Sequence, residues 1–413
     1  MLLCAPSLGI LDNWLPVLHA ARRSQPDCRI VALIPDRETL AQLDASDTAH
    51  VLADEVVDAT LVLLHGGRWM LADGFLSAVD DARPRRLFPR LRTRAQRARS
   101  TDPSALAGPD SRVLYDIHLH KKAGLGPLLD VLGNTPRFSH NHGIELEASD
   151  ALRVAPKDPE NVRAAFVYGP SEIEPYAHNF GLESSAMEVV GIVRHEPTWV
   201  RRVIERSRSL HTLPFEDFVL IVSRPAGSTY LPRDRKVAAL RALYQVAWRE
   251  HGLPLVLRTH PKEHEDGTLA EAFPAEEEGV SWALSRAHPF HLATRSHLGV
   301  TFLSGVSVDL VALGVPVVEY LDIRGLPDLD NDTTERDLRG RPMFSPYRRD
   351  GLVTGVDDIA GLREAVGQVD GDRERLVATQ KQAHALRFIR AGGSSEHMLA
   401  RIVGRTGTQQ ERR

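Results

Sequence analysis

The sequence predicts an α/β protein of two doubly wound, Rossmann-like halves, and three observations carry that expectation. Short apolar runs alternate with longer amphipathic stretches almost from end to end, the pattern of repeated βαβ units. The runs are apolar throughout rather than alternating, as strands buried on both faces of a parallel sheet are. The chain has 413 residues, which at about 100–200 residues per domain fits two domains with sizeable cores.

The elements follow in chain order. MLLCAPSLG reads as a first strand and turn; it has no basic leader and meets Asp12 early, unlike a signal peptide. RIVALIP (Arg29–Pro35), ATLVLLHGG (Ala59–Gly67), RVLYDIH (Arg112–His118) and AAFVYG (Ala164–Gly169) are predicted strands. DNWLPVLHAARR, RETLAQLDASDTA and PLLDVLG are predicted helices between them. The second half repeats the theme with strands FVLIVS (Phe218–Ser223), LPLVLRTHP (Leu253–Pro261), HLGVTFLSG (His297–Gly305) and VPVVEYL (Val315–Leu321). Its helices, DRKVAALRALYQVAWREHG and SVDLVALG, each stop at a glycine in C-cap position. Patterning weakens over VGIVRHEPTWVRRVIERSRSLHTLPFED, which sets the expected boundary between a first domain, 1–195, and a second, 196–385. Two such halves are expected to face a cleft, because open α/β sheets bind ligands beyond the carboxyl ends of their strands.

Composition excludes several classes. Hydrophobic residues make up 42% and charged residues 26%, ordinary for a globular chain. Lys and Arg number 51 against 55 Asp and Glu, a net charge of −4, so the molecule as a whole is no nucleic-acid binder. Cys4 and Cys28 are the only cysteines, which argues against a disulfide framework or cysteine-rich metal site and fits a reducing cytoplasm. No run approaches the roughly 18 apolar residues of a membrane-spanning helix. GILDNWLP stands where a G-x-G-x-x-G fingerprint would follow the first strand, and neither G-x-x-x-x-G-K-S/T nor G-x-S-x-G occurs. Dehydrogenases, P-loop kinases and α/β-hydrolases are therefore disfavoured.

One segment departs from the average. RPRRLFPRLRTRAQRAR, Arg83–Arg99, holds eight arginines and no acid, and opens an Arg-rich insertion over 83–110. A solvated insertion accounts for it. So does a docking patch for anionic lipid headgroups or a phosphate-bearing acceptor, each arginine near such a surface contributing about 1 kcal/mol.

Three segments can carry chemistry. In LVLRTHPKE a strand ends at Arg258-Thr259-His260-Pro261, which places an imidazole at the strand's mouth; Pro261 biases His260 toward extended backbone. Such a histidine can donate to a leaving phosphate, although a surface histidine capping a loop has the same sequence. In TFLSGVSVDLVALGVPVVEY a strand runs into Ser304-Gly305-Val306-Ser307 and a helix begins at once. Ser304 is a predicted N-cap and Gly305 allows close approach of an anion, or the feature is an ordinary cap. RFSHNHGIELEASD gathers His140, His142, Glu145 and Glu147, residues able to supply a general base or merely to line a solvated loop. Their order lacks a helix-borne metal spacing, so no metal is expected. Asp322–Asp350 is a long charged stretch, read as a lid or a disordered loop.

These segments together resemble a known family. RTHPKE is similar to the His-Pro motif of bacterial capsule-type glycosyltransferases: CDP-glycerol glycerophosphotransferases, capsule Kdo transferases and bacterial sialyltransferases. TFLSGVSVDLVALGVPVVEY resembles their Ser-Ser segment, with Ser304 on the first serine and Asp309 on a recurrent acid; Gly305 departs from the second serine, and Ser307 is the replacement hydroxyl. RFSHNHGIE resembles the segment where a His-Gly pair ends the central strand of the acceptor domain, which puts His142 on the base position. RFIRAGGSSEHMLARIV resembles the closing helix that crosses back to the first domain, here 386–413. The resemblance spans about Arg112 to Val403 and is poor over the first 110 residues.

It implies a GT-B fold and a metal-independent transferase without cofactor, in the cytoplasm or peripheral on the inner face of the membrane. The donor would be a nucleotide-activated sugar, with CMP-Kdo, CMP-sialic acid and CDP-polyols leading, and the acceptor a cell-surface glycan or lipid-linked glycan. His142 or Glu145 would act as base and His260 at the leaving phosphate. Ser223, Arg224, Arg258, His260, Pro261, Ser304, Gly305 and Ser307 would form the donor side. Two alternatives share the architecture: a UDP-N-acetylglucosamine 2-epimerase-like enzyme, and a non-catalytic nucleotide- or glycan-binding partner in polysaccharide assembly.

Overall fold

The computed structural model describes residues 1–43, 46–63, 69–76, 99–117, 125–144, 159–260, 263, 267–332, 334–337, 340, 342–389 and 392–404. They form two compact units, Met1–Arg202 with Phe388–Arg413, and Val203–Arg387. The boundary falls a few residues beyond the expected 195/196, inside a helix, Pro197–Leu210, that the weak apolar patterning had obscured.

In the first unit, strands β1 (Leu2–Cys4), β2 (Val31–Ile34), β3 (Ala59–Leu63), β4 (Trp69–Asp73), β5 (Arg99–Ser100), β6 (Val113–Tyr115), β7 (Arg137–His140), β8 (Val162–Val167) and β9 (Met187–Val189) make one sheet. Their order is β5-β4-β3-β2-β1-β6-β7-β8-β9. The pairs from β3 through β2, β1, β6, β7 and β8 to β9 are parallel, and β4 and β5 add antiparallel edge strands. Leu63 pairs with Trp69, so the chain reverses within a few residues, too few for the helical crossover that a parallel neighbour requires. The core is apolar side chains from these strands, Leu33, Leu61, Val113 and Ala165 among them, and Phe180 and Leu129 from flanking helices.

Helix α1 (Leu8–Ser24) follows β1, with Ser7 as N-cap accepting from the Ile10 amide. The predicted single helix RETLAQLDASDTA is two, α2 (Arg37–Leu43) and α3 (Asp47–Asp54), divided because Ser46 caps the second. At the far end of the chain α4 (Ser394–Ile402) packs on α1, its Ser394 Oγ donating to Val190 O at 2.6 Å and its Ser395 Oγ to Glu196 Oε2 at 2.7 Å.

The second unit is a six-stranded parallel sheet, β12-β11-β10-β13-β14-β15. Its strands are β10 (Phe218–Val222), β11 (Leu255–Arg258), β12 (Trp282–Leu284), β13 (Ser296–Thr301), β14 (Val317–Tyr320) and β15 (Thr354–Val356). The predicted helix after β10 begins as an α-helix, Arg233–Leu243, and continues as a π-helical segment, Tyr244–Glu250. A helix, Val306–Ala312, joins β13 to β14, and Gly314 (φ 81°) ends that connection. Asp322–Asp350 is seated rather than structureless among the described residues: Asp322 pairs with Arg235 and Arg324, Asp330 with Arg336, and a short helix, Pro346–Arg349, closes the stretch. Arg348 within it is buried against Glu319 and Asp357 at 2.9 and 2.7 Å. Burial pushes the Glu319 carboxyl above its usual range while Arg348 opposes the shift.

Candidate functional site

In the first unit the strand order changes direction between β1 and β6, which makes the carboxyl ends of β1, β6 and β7 the switch point where an open α/β sheet binds ligands. Asp116 is the first residue beyond β6, and its side chain is wholly buried. His142 lies just beyond β7. Its main-chain amide donates to Asp116 Oδ2 at 2.9 Å and its ring nitrogen Nδ1 to the same oxygen at 2.6 Å. With Asp116 as acceptor, Nδ1 carries the proton and Nε2 is left as the basic nitrogen of a ring that is 38% exposed.

A buried polar network fixes the loop. Asn13 Nδ2 donates to Asn141 O and to Tyr168 Oη, both at 2.7 Å, while its Oδ1 accepts from Arg194. Tyr176 Oη donates to Asn141 Oδ1 at 3.1 Å. Both oxygens of Asn141, the residue preceding His142, are thereby held, an arrangement that preorganises the imidazole.

His140 does not share that role. It is fully buried, its Nδ1 is 3.0 Å from Phe166 O, and it packs edge-on against Trp14 and Tyr168. Burial lowers its pKa to about 4. Glu145 and Glu147 lie outside the described residues, as do Arg83–Arg97 of the Arg-rich segment and Pro261.

In the second unit β10 sits between β11 and β13, and the register aligns Val222 with Arg258 on one side and Thr301 on the other. Ser223-Arg224, Thr259-His260 and Phe302-Leu303-Ser304 therefore emerge side by side from three neighbouring strands. The switch point of this sheet lies between β10 and β13.

The loop carrying His260 is tied down by a residue to which the sequence reading gave no role. Glu263 Oε1 accepts from Lys236 Nζ at 2.5 Å and from Ser223 Oγ at 2.8 Å, and Oε2 accepts from the His260 amide at 3.0 Å. Lys236 and Glu263 are 0% and 4% exposed. The hydroxyl of Ser223 is thus committed to the loop. Arg258 is buried and its guanidinium reaches Thr259 O at 3.1 Å.

After β13, Leu303 takes φ 56°, a left-handed conformation uncommon for a side-chain-bearing residue. Arg224 donates to Leu303 O and lies 5.4 Å over the Tyr230 ring. Gly305, rather than the predicted Ser304, occupies the N-cap position; Ser304 Oγ accepts from the Val306 amide at 3.3 Å, which leaves Ser304 in the turn itself. Ser307 faces inward, fully buried, its hydroxyl 2.8 Å from Thr301 Oγ1. Asp309 is buried as well. Among the described residues no group of three or more His, Cys, Asp or Glu side chains is placed to hold a metal ion, and no helix is long and apolar enough to cross a membrane.

No family model matches the chain, and no curated protein matches it. Solved structures do. The wall teichoic acid polymerase TagF aligns over 97% of this chain and 88% of its own, at 12% identity and a TM-score of 0.58. UDP-GlcNAc 2-epimerase from Neisseria meningitidis aligns over 98% and 99%, at 12% identity and 0.55. S. aureus MnaA, solved with UDP, aligns over 97% and 95%, at 10% identity and 0.55. At such identities the likeness speaks for architecture, and with its two parallel-dominated sheets the chain has the GT-B fold of paired Rossmann-like α/β domains.

Proposed function

We propose that the protein is a metal-independent glycosyltransferase that uses a nucleotide-activated donor to extend a cell-surface or lipid-linked glycan. The observation that carries this reading is the Asp116–His142 pair: a ring held at Nδ1 by a buried carboxylate, with Nε2 basic and the imidazole exposed. That is the arrangement a hydroxyl acceptor requires of a general base. His142 takes the acceptor proton, the acceptor oxygen attacks the donor, and the bond to the nucleotide breaks.

The second unit answers to the leaving nucleotide. Negative charge grows on its phosphate, and His260 and the turn at Ser304-Gly305 supply donors at strand ends on either side of β10. The fold likeness supports a nucleotide ligand: TagF was solved after a soak in CDPG, and the Neisseria epimerase with UDP-GlcNAc. Cytidine donors, CMP-Kdo, CMP-sialic acid or CDP-polyols, lead on the motif resemblance. The Arg-rich segment would bring the enzyme to an anionic membrane face.

The likeness to 2-epimerases favours a second reading, action on a free nucleotide sugar without an acceptor. A thermal-shift screen with CMP, CDP, UMP, UDP and GDP, followed by product analysis, tests both, since a ligand that binds the native state raises the midpoint. Slow release of CMP from its donor supports the transferase. Formation of UDP-ManNAc identifies an epimerase, and tight binding without turnover a non-catalytic partner. Absence of binding to every nucleotide removes the proposal.

A further inference from the structure

Gly9 stands in the first turn of α1, where its backbone is ordinary right-handed helix and a glycine is a poor choice. Alanine would favour the helix, so neither conformation nor propensity accounts for the residue. Space does. A Cβ built at Gly9 would lie 3.2 Å from His142 Cδ2 and 3.3 Å from His142 Cβ. One turn further along the same helix face, Asn13 holds the Asn141 carbonyl and Tyr168 at 2.7 Å.

We propose that Gly9 and Asn13 form a platform on α1 that positions the His142 imidazole against Asp116, Gly9 by leaving room beneath the ring and Asn13 by fixing the preceding peptide. They are positioning residues and act through His142. A side chain at position 9 lifts the ring off the 2.6 Å contact with Asp116 and releases the tautomer preference that contact imposes. Its consequence for rate rests on the reading of His142 as the base. The placement itself does not.

Two-bond ring correlation NMR of the full chain labelled with ¹⁵N-histidine reads the tautomer directly, with His142→Gln assigning the resonance. The wild-type ring is expected as the Nδ1-protonated tautomer. Gly9→Ala should shift that signal toward a tautomer mixture while leaving the thermal midpoint unchanged or raised, because alanine is the better helix former. Gly9→Val, larger, should shift it further. In an active enzyme kcat should fall in the same order, by about tenfold or more for valine, with donor KM little changed, as misplacing a reacting group by a fraction of an ångström does. An unchanged ring spectrum in both variants would overturn the inference. So would a lowered midpoint with the wild-type spectrum, for the glycine would then serve packing. Inactivity of the wild type toward every donor, with the tautomer shift present, would count against the transferase and leave the platform standing.

Discussion

Lys236 Nζ lies 2.5 Å from Glu263 Oε1, and both side chains are almost completely removed from water. The pair joins the helix after β10 to the loop after β11, and its second carboxylate oxygen holds the His260 amide. A buried pair is weak support for stability in itself, but removing one partner leaves an uncompensated charge. Lys236→Met should therefore destabilise the second unit by about 3–5 kcal/mol. The double variant Lys236→Met/Glu263→Gln should recover most of that loss, as urea denaturation can show, while His260 stays loosened and turnover stays low. Full activity in the double variant would separate the pair from the site.

Donor chemistry supplies the second test. His260→Ala should lower kcat by about 10²–10³, the usual effect of losing one donor to developing charge. Ser304→Ala should mostly weaken nucleotide binding, by about 0.5–1.5 kcal/mol, the net contribution of one hydrogen bond. Neither effect should depend on added Mg²⁺, and EDTA should leave wild-type turnover intact. Strict metal dependence would refute the mechanism.

On the acceptor side, His142→Ala and Asp116→Asn should each reduce turnover by about 10²–10⁴ and leave donor affinity nearly unchanged. Asp116 cannot serve as base directly, since its side chain is enclosed and accepts from His142 twice. Glu145→Gln completes the comparison, and an Asp116→Asn enzyme with normal turnover would move the base elsewhere.

Stability should fall in mild acid. Burial lowers the pKa of His140 and of His19 to about 4 in the folded chain. An unfolded histidine titrates near 6.5, so between about pH 6.5 and 4 the unfolded state binds more protons and folding weakens as pH drops. At pH 5 each residue should remove about 2 kcal/mol relative to neutral pH, and the loss should level off below about pH 4. Chemical denaturation across pH 4–7.5 measures this. His140→Phe should flatten the profile, and an unaltered profile would show that His140 titrates normally.

Much of the fold is legible because its strands are buried on both faces and appear as uninterrupted apolar runs, FVLIV of β10 above all. RFSH of β7 is as fully buried but reads as polar, because its side chains are satisfied internally: Arg137 donates to Gly133 O at 3.0 Å, Ser139 meets Tyr176, and His140 meets Phe166 O. Hydropathy cannot register such a strand. His142 and His260 stand out in the sequence as histidines at strand ends. Their partners do not. Asp116 is 26 residues from His142 and Lys236 is 27 from Glu263, pairings that only the sheet order creates.

Because Phe388 onward belongs to the first unit, that unit is assembled from both ends of the chain. During synthesis the residues up to Arg202 emerge before the second unit, yet the face of α1 that receives α4 and the Glu196 carboxylate that receives Ser395 wait until the second unit has been made. The second unit, Val203–Arg387, is a continuous insertion and can mature meanwhile. Of these two units, the one begun earlier is therefore finished later, and a chain cut shortly after Arg387 would damage the unit whose strands lie far upstream of the cut.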